Sequence, residues 1–325
     1  MARNRIQDKT IKLCYTVMGV VCAFMAIFAA ISFFISGVAY KIDKAGLVQI
    51  NTATQLYKNG ESLYNKEVKL TNDLVIDDPD FRIGSEEYPF SGVFDGKGHK
   101  ITLSYGTVDE AVSLFQYITE NAIIKNVHFD FGELVIQTGS FGGIVNVNAG
   151  TIQNCKVTFS NLKLGERGIF SPLALVNKGT LENIFVEGSV ERIADNDAEK
   201  NILYGNVCVY NYGTIKGCIA IAEYMNFKTT DAEKIEKGEI KNVGISAIRS
   251  LDLDGGKITD AVVLLTEGIA TCDKNAKDMQ AIEFLSERKQ IFNENRIFES
   301  GAIGLEFDRY SWRLLEDDLI LIIKK

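Results

Sequence analysis

Asn148-Ala-Gly150-Thr-Ile152-Gln-Asn154-Cys155 returns as Asn177-Lys-Gly179-Thr-Leu181-Glu-Asn183-Ile184 and as Asn211-Tyr-Gly213-Thr-Ile215-Lys-Gly217-Cys218. Two looser copies flank these, Glu120-Asn-Ala122-Ile-Ile124-Lys-Asn126-Val127 and Asp254-Gly-Gly256-Lys-Ile258-Thr-Asp260-Ala261. Each copy runs on into evenly spaced apolar residues, such as Val157 and Phe159 after one and Ala220 and Ala222 after another. Measured on the Ile/Leu position, the copies are 28, 29, 34 and 43 residues apart. Self-similarity at such periods marks a repeat architecture.

One such unit cannot bury its own apolar face, but stacked units can. If each copy is one coil, the next lies about 4.8 Å above it and equivalent residues superpose. Ile124, Ile152, Leu181, Ile215 and Ile258 then form one interior stack, and Val127, Cys155, Ile184, Cys218 and Ala261 a second. Asn and Gly tolerate the left-handed backbone of tight corners. Asn126, Asn154 and Asn183 should form one amide ladder there, and Asn148, Asn177 and Asn211 another. The expected fold is all-β: a right-handed parallel β-helix with short capping helices.

A period that lengthens while its motif persists means insertion at one corner. The extra residues fall in 194–201 and 228–241, both polar, which carry Asp195, Asp197, Glu233 and Glu236 as candidate interaction residues. Upstream, Thr52-Ala-Thr-Gln55 reads as a helix capping box, and Glu67 to Asp77 alternates like a strand. Downstream, residues 273–296 carry an apolar stripe through Ala276, Met279, Ile282 and Phe292 at helical spacing, which predicts a helix plugging the last coil, with docking of a partner as the alternative.

Residues 13–40 contain no charge and are long enough to cross a ~30 Å hydrocarbon core. Arg3, Arg5, Lys9 and Lys12 against Asp8 give the first twelve residues about +3, so that end is expected in the cytoplasm and the body outside. A signal peptide cleaved after Gly37-Val38-Ala39 is the competing reading, but its apolar region would be unusually long. The expected organisation is a cytoplasmic tail at 1–12, a single-pass anchor at 13–40, a β-helix with an N-terminal cap at 41–272, and a helical cap with final strands at 273–325.

The net charge of −8 leaves about −11 on the body, a poor match for nucleic acid or anionic lipid. Six cysteines without a CxxC pair and two histidines point to no zinc or redox centre, and no cofactor is called for. His99 near Asp95 offers an acid–base pair, but Asp95-Gly96 and Lys97-Gly98 are turn dipeptides. Asp73, Asp77, Asp78 and Asp80 lack the spacing of a calcium loop. No catalytic, cofactor or metal residue is assigned. The function expected is a non-catalytic adhesion, interaction or scaffold module that binds a surface protein or glycan. A polysaccharide lyase or hydrolase is the alternative, and it would need carboxylates gathered on one outer face.

Pro89-Phe90-Ser91-Gly92-Val93-Phe94-Asp95-Gly96-Lys97-Gly98-His99-Lys100-Ile101 resembles the signature of bacterial surface β-helix proteins related to the GLUG-motif family. The Gly-Thr-Ile repeats that follow and the closing Tyr310-Ser311-Trp312-Arg313-Leu314-Leu315 fit that resemblance, whereas Gly143-Ile144-Val145 and Leu319-Ile320-Leu321 depart from it. The resemblance implies an extracellular, adhesin-like β-helix with no common catalytic set.

Overall fold

The computed structural model describes residues 46–109, 113–193, 202–225, 243–246, 249–252, 256–259, 261–265, 279–283, 312–315 and 318–321. They form a parallel β-solenoid. The expected span at 13–40 lies outside them, and no helix among the described residues is long and apolar enough to cross a membrane.

One face stacks eight parallel strands among the described residues: Leu47–Ile50, Glu67–Leu70, Val93–Asp95, Ile123–Lys125, the starts of Thr151–Ser171 and Thr180–Arg192, then Thr214–Lys216 and Lys257–Thr259. Their register places Val48, Val68, Phe94, Ile124, Ile152, Leu181, Ile215 and Ile258 one above another. Every member of this column is at least 96% buried. The face beyond the next corner repeats the pattern, with Leu74, Ile101, Phe129, Val157, Val186 and Ala220 stacked and buried. A separate sheet of five strands, Phe115–Ile118, Val145–Asn148, Ala174–Asn177, Cys208–Asn211 and Arg249–Asp252, closes the coils on another side.

The corner between the first two faces is left-handed in successive coils: φ is +56° at Asn126, +53° at Asn154, +52° at Asn183 and +61° at Gly217. Asn and Gly replace one another in this column because both accept positive φ. A ladder of buried asparagines marks the far corner, where Asn148 Nδ2 donates to Asn177 Oδ1 and Asn177 Nδ2 to Asn211 Oδ1. Near the N-terminal end large rings fill the interior. Phe90 and Phe94 both meet Phe115 edge to face, at 5.2 and 5.5 Å.

Helix α1 (Ala53–Asn59) opens on Thr52, whose Oγ1 accepts from Gln55 N. The Gln55 Oε1 reaches back to Asn51 N, one residue earlier than in the usual capping box. The strand expected over Glu67 to Asp77 is broken in two, Glu67–Leu70 and Leu74–Ile76, because a coil corner intervenes. There Thr71 N donates to Ile50 O.

Two sequence-based expectations are corrected downstream. Within 273–296, the segment Met279–Glu283 is a strand paired in parallel with Ala261–Leu265, not part of a helix. The exposed edge of the preceding coil offers it a hydrogen-bond ladder, and that pairing overrides the local helical pattern. The rest of that span lies outside the described residues. Alignment of the repeats put Asp254 in the Asn column, but the register pairs Asn211 with Asp252. Ile215 still pairs with Ile258, so this corner holds two more residues than the one below it. Trp312–Leu315 and Asp318–Leu321 form an antiparallel pair.

Candidate functional site

The lateral faces carry the side chains that could meet a ligand, and stacking decides what is left available. A residue pointing outward on one coil sits about one strand spacing from its equivalents above and below. Asp95 accepts from Asn126 Nδ2 at 3.0 Å and from Lys97 N at 3.0 Å, with the Lys97 and Lys125 ammoniums at 3.3 and 3.8 Å. Burial alone would raise its pKa, but these hydrogen bonds and charges outweigh it and hold the carboxyl below its ordinary range. Asp95 therefore makes no pair with His99. The His99 Nδ1 lies 3.1 Å from Asp73 Oδ1, which also accepts from Lys100 N.

One coil further, Thr158 Oγ1 lies 2.8 Å from His128 Nε2 and 3.0 Å from Asp130 Oδ1. The grouping of hydroxyl, imidazole and carboxylate looks like a nucleophile with its base, but its hydrogen bonds run the wrong way. A carboxylate only accepts, so the Thr158 hydroxyl donates to Asp130 and accepts from a protonated His128 Nε2. The imidazole is thus a donor to the hydroxyl and cannot take its proton. Burial, reinforced by the Lys156 ammonium, pushes the His128 pKa down to about 4. Asp130 is further held by Lys100 at 3.5 Å, and Glu133 pairs with Lys163 at 3.2 Å.

Three of the four acidic residues considered for calcium have other partners, Asp73 among them as described above. Asp77 Oδ1 accepts from Tyr57 OH and Asp78 Oδ1 from Asp80 N. Among the described residues no three potential ligands converge on a cation position.

Asp195, Asp197, Glu233 and Glu236 lie outside the described residues. The strands that flank their two segments are described, however. Glu191 pairs with Met225 just before them, and Ile202 with Val243 just after. Both insertions therefore leave and rejoin neighbouring coils at equivalent places. The six ladder asparagines are at the two corners: Asn183 Nδ2 donates to Asn154 Oδ1 at 3.2 Å and Asn126 Nδ2 to Asp95, while Asn148, Asn177 and Asn211 are fully buried. They build the frame rather than a ligand surface.

A cleft of about 870 Å³, not foreseen from the sequence, lies beside the N-terminal cap. One wall is α1 and the turn after it, with Tyr57, Lys58 and Ser62; the other is the 80–88 loop, with Phe81, Arg82, Glu86, Glu87 and Tyr88. The Tyr57 hydroxyl donates to Asp77 Oδ1 at 2.9 Å and accepts from Asp77 N at 3.1 Å, which holds α1 against the chain just before the loop. The Tyr57 ring meets Phe81 edge to face at 4.8 Å. Gly60 permits that closure: a Cβ there would stand 2.7 Å from the Phe81 ring. The Arg82 guanidinium braces the loop from within by donating to Pro79 O and Phe81 O. The trace of this cleft in the sequence is two aromatics, Phe81 and Tyr88, that bracket a short charged stretch.

Compared with known proteins, the chain matches no protein-family model, no curated protein and no solved structure.

Proposed function

We propose that this chain is a membrane-anchored surface protein in which residues 13–40 span a bacterial membrane, residues 1–12 stay in the cytoplasm, and the solenoid stands outside. On this reading the solenoid is a right-handed β-helix related to the GLUG-motif surface proteins. It acts as a non-catalytic, adhesin-like module that binds a surface protein or a glycan. The observation that carries the proposal is the pairing of Glu191 with Met225 and of Ile202 with Val243. It roots the two charged insertions one above the other on a stiff frame, and loops carried on a rigid scaffold are where binding concentrates. Supporting it, the carboxylates of Asp95, Asp130 and Glu133 are each engaged with lysines of the same or neighbouring coils.

The test compares the full chain with a variant in which 194–201 and 228–241 are replaced by short Gly-Ser links. Binding to a protein partner on the cell surface should fall at least tenfold in the variant while its thermal midpoint holds. Polysaccharide turnover that disappears in Asp195→Asn or Glu233→Gln would place the chain among carbohydrate-active enzymes instead.

A further inference from the structure

We infer that the cleft between α1 and the 80–88 loop is a binding site for an uncharged pyranose glycan. This deepens the surface-binding reading and rests on it for access to glycans, but it names a different place on the molecule from the two insertions.

Shape, rigidity and chemistry lead to the same ligand class. The volume of about 870 Å³ falls in the range of sites that take small ligands, roughly 300–1,000 Å³. The walls are fixed before any ligand arrives. Tyr57 ties α1 to Asp77 through two hydrogen bonds, and Arg82 braces the loop from within. The tip is a reciprocal turn, with Ser85 N donating to Tyr88 O at 2.9 Å and Tyr88 N to Ser85 Oγ at 3.0 Å. A prearranged site loses less ordering entropy on binding.

Tyr88 is 54% exposed, an unusual state for a large ring, and it leans on Tyr64 with ring centroids 5.9 Å apart. One side of it is thus supported while much of it remains open to solvent. The same cleft is lined by Glu86, Glu87 and Asp80, which accept hydrogen bonds, and by Ser62, Ser85 and Gln116, which both give and accept them. A pyranose has a matching composition: a ring of hydroxyls around patches of C–H that lie flat on an aromatic face.

Charge separates this class from its rivals. Three carboxylates face two cations, Lys58 and Arg82, so the lining is acidic on balance. A uronate, a sulfated sugar or a phosphorylated headgroup would be repelled.

The experiment is a glycan array probed with the full-length chain in nanodiscs. It is run in parallel with Tyr88→Ala and with the insertion-replaced variant. The array carries neutral, N-acetylated, uronate and sulfated oligosaccharides. The expected result is binding to neutral or N-acetylated pyranose glycans that weakens at least tenfold in Tyr88→Ala and persists when the insertions are replaced. Tyr88 is largely exposed, so its truncation should leave the thermal midpoint within 1–2 °C, and a larger fall calls for Tyr88→Ser, with the same loss expected. Absence of neutral-glycan binding, a preference for the anionic sugars, or binding unchanged in both Tyr88 variants would overturn the inference. Glycan binding that vanishes only with the insertions would overturn it too, while leaving the surface-binding reading intact.

Discussion

Asn148 Nδ2 donates to Asn177 Oδ1 across neighbouring coils at 2.7 Å, and both side chains are completely buried. Asn177 then passes the pattern on through its own Nδ2 to Asn211 Oδ1 at 2.9 Å. Its truncation strips partners from buried amides on both sides, each worth about 1–3 kcal/mol when left unsatisfied. Asn177→Ala should therefore destabilise the solenoid by about 2–4 kcal/mol in urea unfolding, against no more than about 0.5 kcal/mol for the exposed neighbour Lys178→Ala. Equal effects of the two would show that the ladder carries no stability.

Ile215 sits with no exposure between Leu181 and Ile258 in the interior column. A carboxylate there has no partner and no water, at a cost of several kcal/mol. Ile215→Asp should abolish the cooperative thermal transition followed by circular dichroism, whereas Ile215→Val should cost only about 1 kcal/mol. A folded Ile215→Asp protein would contradict the stacking.

That column was legible in the sequence because a coil period fixes it twice, by residue type and by distance along the chain. The left-handed corners were legible for a related reason: few residues tolerate positive φ, so Asn126, Asn154, Asn183 and Gly217 advertise the turn. Met279–Glu283 was not legible as a strand, since over five residues Met279 and Ile282 fit a helical spacing and only the pairing with Ala261–Leu265 settles the matter. Nor was the cleft, whose walls meet only when the coil closes: Tyr57 and Phe81, which touch there, are twenty-four residues apart and share no local pattern.

His128 gives the solenoid a pH dependence. Its folded pKa is pushed down to about 4 from an ordinary 6.5 by burial and by Lys156. Between these values the unfolded chain holds the proton and the folded chain does not, so stability falls as pH drops from 6.5 towards 4 and levels off below. The loss for this group reaches at most roughly 3 kcal/mol, at about 1.4 kcal/mol per pH unit. Urea midpoints at pH 7 and 4.5 should differ less in His128→Gln than in the parent protein. An identical pH response in the two would exclude this role.

Cys155 and Cys218 lie in one buried column with Ile184 between them, and burial pushes both thiols up to about 12. Two coils separate them by about 9–10 Å, beyond the reach of a disulfide, whose Cα atoms stand within about 7 Å. Mass spectrometry should find both thiols free, unmodified by iodoacetamide at pH 8 in the native protein and alkylated in urea. A peptide linking Cys155 to Cys218 would refute the register.

The reading as a surface module depends above all on which side of the membrane the solenoid occupies, and protease treatment of intact cells measures that directly. Cells producing the full-length chain with a C-terminal epitope are treated with a protease that cannot enter, and the membrane fraction is probed for both ends. The account predicts that the epitope is lost and that an N-terminal fragment containing residues 13–40 stays in the membrane. A solenoid that remains intact until the cells are opened, or a chain whose mature N-terminus lies at residue 40, would contradict it.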